Sequence, residues 1–135
     1  MSVKKINHVA IVVPELADAQ KFWVEALDLT LGGVERLPAE GVTVAFLPVG
    51  DSEIELISPT EPDSGVARYL AKRGPGMHHI CLEVEDIEAT LARLKTAGIP
   101  LINEAPAVNE NGVRYAFIHP KGANGVLVEL YELPS

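Results

Sequence analysis

A constant shift along this sequence lays its first half over its second, and that internal repeat limits the possible folds more than any other feature. His8 falls on His79, Val13 on Val84, Leu16 on Ile87, Ala26 on Ala97, and Ala45-Phe46 on Ala116-Phe117. With a slightly longer last hairpin, Ile54-Glu55-Leu56 falls on Val128-Glu129-Leu130. Repetition at this length predicts two equivalent modules, and equivalent positions in such modules can converge on one shared site.

The order of elements follows from the periodicity. Residues 6 to 13 read as a buried strand closed by Pro14. Residues 15 to 27 then change to a helical period, with Leu16, Ala19, Trp23, Ala26 and Leu27 on one face. Extended segments at about 29 to 36, 42 to 49 and 53 to 57 complete a βαβββ unit. Pro59 and Pro62 mark 58 to 63 as a linker, after which Ser64 caps a short helix that Gly74 ends. From His79 the order recurs: Asp86 caps a helix burying Ile87, Leu91, Leu94 and Ala97, and strands follow at about 99 to 104, 113 to 119 and 124 to 131. The expected class is α+β, with tandem βαβββ modules in a single domain spanning residues 1–135. Module 1 covers about 5–58, a linker with its short helix 59–77, and module 2 about 78–133.

The totals exclude several classes of function. A chain of 135 residues, 47% hydrophobic, is long enough to bury a core and too apolar for a disordered segment. Its formal net charge of -8 opposes binding to nucleic acid or to an anionic membrane. The single cysteine, Cys81, rules out an internal disulfide and a thiolate zinc site, and reads as a small buried hydrophobe. The N-terminus does not read as a signal sequence, and no apolar run nears the roughly 20 residues that cross a bilayer. A cytoplasmic protein is expected.

Against this background four residues stand out. His8 and His79 head strands of nearly continuous aliphatic residues, while Glu55 and Glu129 lie between aliphatic neighbours in two others. An ionised carboxylate in an apolar strand is costly unless it is paired or bound to a cation. Here the anomaly recurs at matching places in the repeat. Two imidazoles and two carboxylates suit a divalent ion such as Co²⁺, Mn²⁺, Zn²⁺, Ni²⁺ or Mg²⁺, and the lack of thiolates points away from a purely structural zinc. On an octahedral ion, four such ligands leave two positions for water or a chelating substrate, the arrangement of a Lewis-acid catalyst. His78 is expected to face away from His79 across the strand.

These residues, together with Asn7-His8-Val9-Ala10, Gly41-Val42-Thr43-Val44-Ala45-Phe46, Met77-His78-His79-Ile80, His119-Pro120-Lys121 and Gly125-Val126-Leu127-Val128-Glu129-Leu130, resemble the vicinal oxygen chelate superfamily. Its members include glyoxalase I, ring-cleaving dioxygenases, antibiotic-resistance proteins and methylmalonyl-CoA epimerases, and the last of these families is the most similar. The resemblance covers nearly the whole chain. It implies a curved mixed β-sheet around a metal site with His8, Glu55, His79 and Glu129 as ligands to one divalent ion, Co²⁺ foremost, and a homodimer.

It also implies an isomerase that moves the proton on the carbon α to the thioester of methylmalonyl-CoA, through a metal-stabilised enolate. Proton exchange on both faces of a planar intermediate asks for two acid–base groups, here Glu40 and Glu129. Glu40 stands in Pro38-Ala39-Glu40-Gly41, one position away from the family's usual acid in this segment. For the acyl-CoA, Lys121 and Arg114, with Lys72 and Arg73 behind them, supply positive charge for the phosphates, and His119 is a further substrate contact. Two other readings compete: a glyoxalase I-like metal isomerase acting on a glutathione adduct, and a metal-free drug-binding resistance protein. Retention of all four ligand residues and an aromatic content of only 5% count against the last.

Overall fold

The computed structural model describes residues 2–135. It contains eight strands: β1 (Val3–Val12), β2 (Gly33–Leu37), β3 (Val42–Val49), β4 (Ser52–Pro59), β5 (Gly76–Val84), β6 (Ala107–Val108), β7 (Arg114–Ile118) and β8 (Val128–Glu132). Its α-helices are α1 (Leu16–Gln20), α2 (Gly65–Arg73) and α3 (Ile87–Thr96). Among the described residues, no helix is long and apolar enough to cross a membrane. The chain forms two compact units, Val9–His78 and Met1–His8 with His79–Ser135, so β1 contributes to both.

In the Val9–His78 unit the strand order is β2-β3-β4-β1, with β3 running antiparallel to both β2 and β4. Alternation along β3 and β4 buries Ala45, Leu47 and Leu56, against which Leu16, Ala19, Trp23 and Val24 pack. The expected helix over 15 to 27 begins as α1 but relaxes into π-helical turns over Lys21–Ala26, where Leu27 N–H reaches back to the Phe22 carbonyl. Widening each turn rotates later side chains off the α-helical face. Val24 therefore joins the core, while Leu27 is left 49% exposed. Ser64 caps α2 through the Ala67 N–H, as its position predicts, and Gly74 ends it at φ 75°. Pro59 closes β4 rather than opening the linker, which begins one residue later.

The other unit reads β1-β5-β8-β7-β6. Strands β5 and β8 are parallel, and β7 is antiparallel to β8. One face of this sheet, with Ile80, Leu82 and Val84 from β5, Val128 and Leu130 from β8, and Ala116 and Ile118 from β7, packs against Ile87, Leu91 and Leu94 of α3. Asp86 caps that helix through the Ala89 N–H. By the two-residue period of a strand, the opposite face carries His79, Cys81 and Glu83, then Glu129 and Tyr131, then Tyr115 and Phe117.

Two expectations for this unit change. The strand expected over 99 to 104 reduces to a single pairing of Leu101 with Ile118, because Pro100 lacks an N–H and the Asn103 side chain takes the Phe117 N–H itself. The strand expected over 124 to 131 starts only at Val128: Asn124 and Gly125 take positive φ values of 57° and 87°, which belong to a turn. That turn follows a short 3₁₀ segment, Pro120–Gly122. A Cβ added at Gly122 would lie 2.6 Å from Ile99 Cγ2 and 3.0 Å from Pro100 Cδ. Both neighbours are stiff, so Gly122→Ala is expected to lower stability by about 1–3 kcal/mol, read as a reduced urea midpoint with an unchanged slope.

Candidate metal and active site

Three of the four residues selected from the repeat meet within one unit. His8 at the end of the N-terminal stretch of β1, His79 on β5 and Glu129 on β8 are all buried, with exposures of 1%, 7% and 7%. Their donor atoms lie within 4.8 Å of one another. His8 Nε2 is 3.3 Å from His79 Nε2 and 3.4 Å from Glu129 Oε1, and His79 Nε2 is 3.1 Å from the same carboxylate oxygen.

The sheet explains the convergence. Register pairs Glu129 with Cys81 on one side and with Phe117 on the other, and His79 is two residues before Cys81 on the same face. The rings around the cluster hold it edge-on: Phe117 against His79 at 5.5 Å between centroids, and Tyr131 against His8 at 5.3 Å.

Burial opposes ionisation of Glu129, but hydrogen bonding to His79, with the His8 ring alongside, outweighs it and holds the carboxyl below the usual carboxylate range. An anion between two imidazole nitrogens in a dry setting is a cation site by its chemistry. The spacing fits as well. Donors sharing one ion at about 2.0–2.2 Å sit roughly 3 Å apart when adjacent, and the measured separations are 3.1, 3.3 and 3.4 Å. Cys81, fully buried beside Glu129 in the ladder, is not part of this donor set.

The remaining selected residues fall as follows. Glu55 is half-buried on β4, opposite Phe46, in the Val9–His78 unit. Glu40 is exposed in the tight turn between β2 and β3, which is closed by its own N–H to the Leu37 carbonyl and by Gly41 N–H to that of Pro38. His78 stacks edge-on against Tyr69, whose hydroxyl donates to the Met77 carbonyl, and the Arg73 guanidinium lies over the same Tyr69 ring.

His119 shapes the His119-Pro120-Lys121 turn: its Nδ1 accepts the Lys121 N–H at 3.0 Å, leaving the neutral ring's proton on Nε2. Lys121 itself is exposed. Arg114 is committed to carboxylates, at 2.7 Å from Glu88 and 3.3 Å from Glu132, while Glu132 also accepts the Ile87 N–H at the start of α3. Its guanidinium pKa is raised, with the hydrogen bond to Glu88 the chief cause.

Sequence reasoning passed over two residues here. Asn7 lies half-buried beside His8, and Glu83 is buried on β5, only 7% exposed. Glu83 carried the same signal that exposed Glu55 and Glu129, an acid among aliphatic strand residues, but the repeat gives it no acidic counterpart.

Residues 7–117 match the family model of the Glyoxalase/Bleomycin resistance protein/Dioxygenase superfamily. The chain is 40% identical to the Ethylmalonyl-CoA/methylmalonyl-CoA epimerase of Cereibacter sphaeroides, over 97% of this chain and 99% of that protein. It is 40% identical to the mitochondrial methylmalonyl-CoA epimerase of Homo sapiens, over 93% of this chain and 72% of the other. A solved methylmalonyl-CoA epimerase in complex with methylmalonyl-CoA and NH4+ superposes with a TM-score of 0.86 at 31% identity, covering 99% of this chain and 97% of that one.

The lowered pKa of Glu129 carries a sign for stability. The contribution of its hydrogen bonds is complete above the pKa of an unfolded carboxyl and is lost as pH falls through the depressed folded value. The melting temperature of chelator-stripped protein should therefore drop on acidification, and Glu129→Gln should flatten part of that acid limb. A Glu129→Gln profile parallel to the parent's would contradict the assignment.

Proposed function

Because the chain belongs to the glyoxalase/bleomycin resistance protein/dioxygenase superfamily and, within it, to the methylmalonyl-CoA epimerases, we propose that it interconverts (2R)- and (2S)-methylmalonyl-CoA. The observation that carries this reading is the buried His8–His79–Glu129 cluster in a chain so similar along its length to enzymes of that name.

In this reading His8, His79 and Glu129, with Glu55 as the fourth ligand, hold one divalent ion, and Co²⁺ is our choice over Mn²⁺, Zn²⁺, Ni²⁺ or Mg²⁺. When bound, such an ion supplies Lewis acidity that stabilises the negative charge building on the thioester carbonyl as the α-proton leaves. The protein's own groups do the rest. Glu40 and Glu129 exchange the proton on opposite faces of the planar carbon, each as base in one direction and acid in the other. Glu129 is put to the task by its place in the cluster, beside the ring nitrogens of His8 and His79. Glu40 suits it because the turn between β2 and β3 fixes its backbone while leaving the side chain exposed.

Lys121 is the proposed contact for a phosphate of the CoA moiety, with His119 Nε2–H as a second donor from the same turn. The ion pairs of Arg114 with Glu88 and Glu132 compete with any phosphate, which places it behind Lys121 as a substrate contact. A homodimer in the cytoplasm completes the proposal, supported by the resemblance to the family. Ethylmalonyl-CoA should also turn over, since one methylene in an apolar pocket separates substrates by only about 10–200-fold in kcat/KM.

The test is α-proton exchange in D₂O, followed by NMR, with each methylmalonyl-CoA epimer and protein stripped by chelator and then reloaded with Co²⁺. Exchange with loss of stereochemical purity, restored by the metal, is the expected result. Metal uptake without exchange would discard the substrate and bring glutathione adducts forward, and no metal uptake would discard the site. Replacing Glu40 with Gln should slow exchange by about 10²–10⁴-fold; an unchanged rate would remove Glu40 from the proton transfer.

A further inference from the structure

The geometry points to Asn7 and Glu83 as a positioning pair that fixes the proton of His8 on Nδ1 and so turns the Nε2 lone pair into the metal cluster. Its value to metal binding rests on the reading just given, whereas the placement of the proton follows from these side chains alone.

The reasoning starts at Glu83. Its carboxylate is buried on the same face of β5 as His79, with the Lys4 ammonium 3.8 Å from Oε2. Its other oxygen accepts Asn7 Nδ2–H at 3.2 Å. An amide that gives its NH₂ to a carboxylate must turn its oxygen the other way, and Asn7 Oδ1 lies 2.8 Å from His8 Nδ1. A carboxamide oxygen only accepts, so Nδ1 must donate. A neutral imidazole with its proton on Nδ1 has its lone pair on Nε2.

That is the atom found 3.3 Å from His79 Nε2 and 3.4 Å from Glu129 Oε1. The pair thus explains two facts that the ligands do not: why a buried acid stands on β5 without a repeat mate, and why a half-buried amide precedes His8. Partners that orient a ligating histidine commonly change metal affinity by about 10–100-fold when lost.

Two measurements decide the matter. In metal-free parent protein with ¹⁵N-labelled histidine, at alkaline pH where imidazoles are neutral, long-range ¹H–¹⁵N correlations should show His8 protonated on Nδ1. The His8→Gln spectrum supplies the assignment. Protonation on Nε2 overturns the inference without recourse to any variant.

Titration of stripped protein with Co²⁺ should then show Asn7→Leu weakened by about 10–100-fold, while Glu83→Gln, which keeps an acceptor for the Asn7 amide, stays within about threefold of the parent. A folded Asn7→Leu with parental affinity and an unchanged His8 proton overturns the inference. A parent that takes up no Co²⁺ overturns the metal reading instead, and loss of the Nδ1 proton signature in Asn7→Leu still supports the pair.

Discussion

An ionised carboxylate held between two imidazoles inside a β-sheet is the interaction on which this protein turns. Glu129 is nearly inaccessible, and its burial alone would drive it towards the neutral acid. A hydrogen bond from His79, with the His8 ring alongside, reverses that tendency. The consequence is a concentrated negative charge beside two ring nitrogens, with aromatic edges from Phe117 and Tyr131 around it. In water these groups would hydrate separately and bind a divalent ion weakly. Fixed at 3.1 to 3.4 Å from one another, they are organised before any ion arrives.

The remainder of that unit serves this arrangement. Helix α3 covers one face of the sheet with Ile87, Leu91 and Leu94, which leaves the other face to carry the site. Strand alternation then does the sorting, since each residue buried against the helix has neighbours pointed the opposite way. Parallel pairing of β5 with β8 brings Cys81 level with Glu129, and antiparallel pairing of β7 with β8 does the same for Phe117. Arg114, Glu132 and Glu88 tie the start of α3 to β7 and β8 at its edge. Those charges have structural work to do, which separates them from the Lys121 turn.

Membership of the methylmalonyl-CoA epimerases gives the cluster a chemical setting. Moving a proton on a carbon flanked by a thioester and a carboxylate requires stabilisation of the charge left behind and acids or bases on both faces. The first need suits a dry, anionic, nitrogen-lined site. For the second, Glu129 is a ligand candidate that is already ionised, and Glu40 occupies a defined turn.

The sequence by itself determined the repeat, the α+β class, the caps at Ser64 and Asp86, and the choice of His8, His79 and Glu129. Each of these rests on local information: periodicity, side-chain capping chemistry, and the cost of an acid among aliphatic residues. Tertiary structure decided what depends on partners distant in the chain. The π-helical turns at Lys21–Ala26 change which side chains reach the core, and Asn103 ends a strand by capturing the Phe117 N–H. The link from Glu83 through Asn7 to His8 joins residues 76 positions apart, and only the folded sheet brings them within hydrogen-bonding distance. Composition and spacing reveal which side chains are costly to bury, whereas which atom of each faces its neighbour is set by strand register and packing.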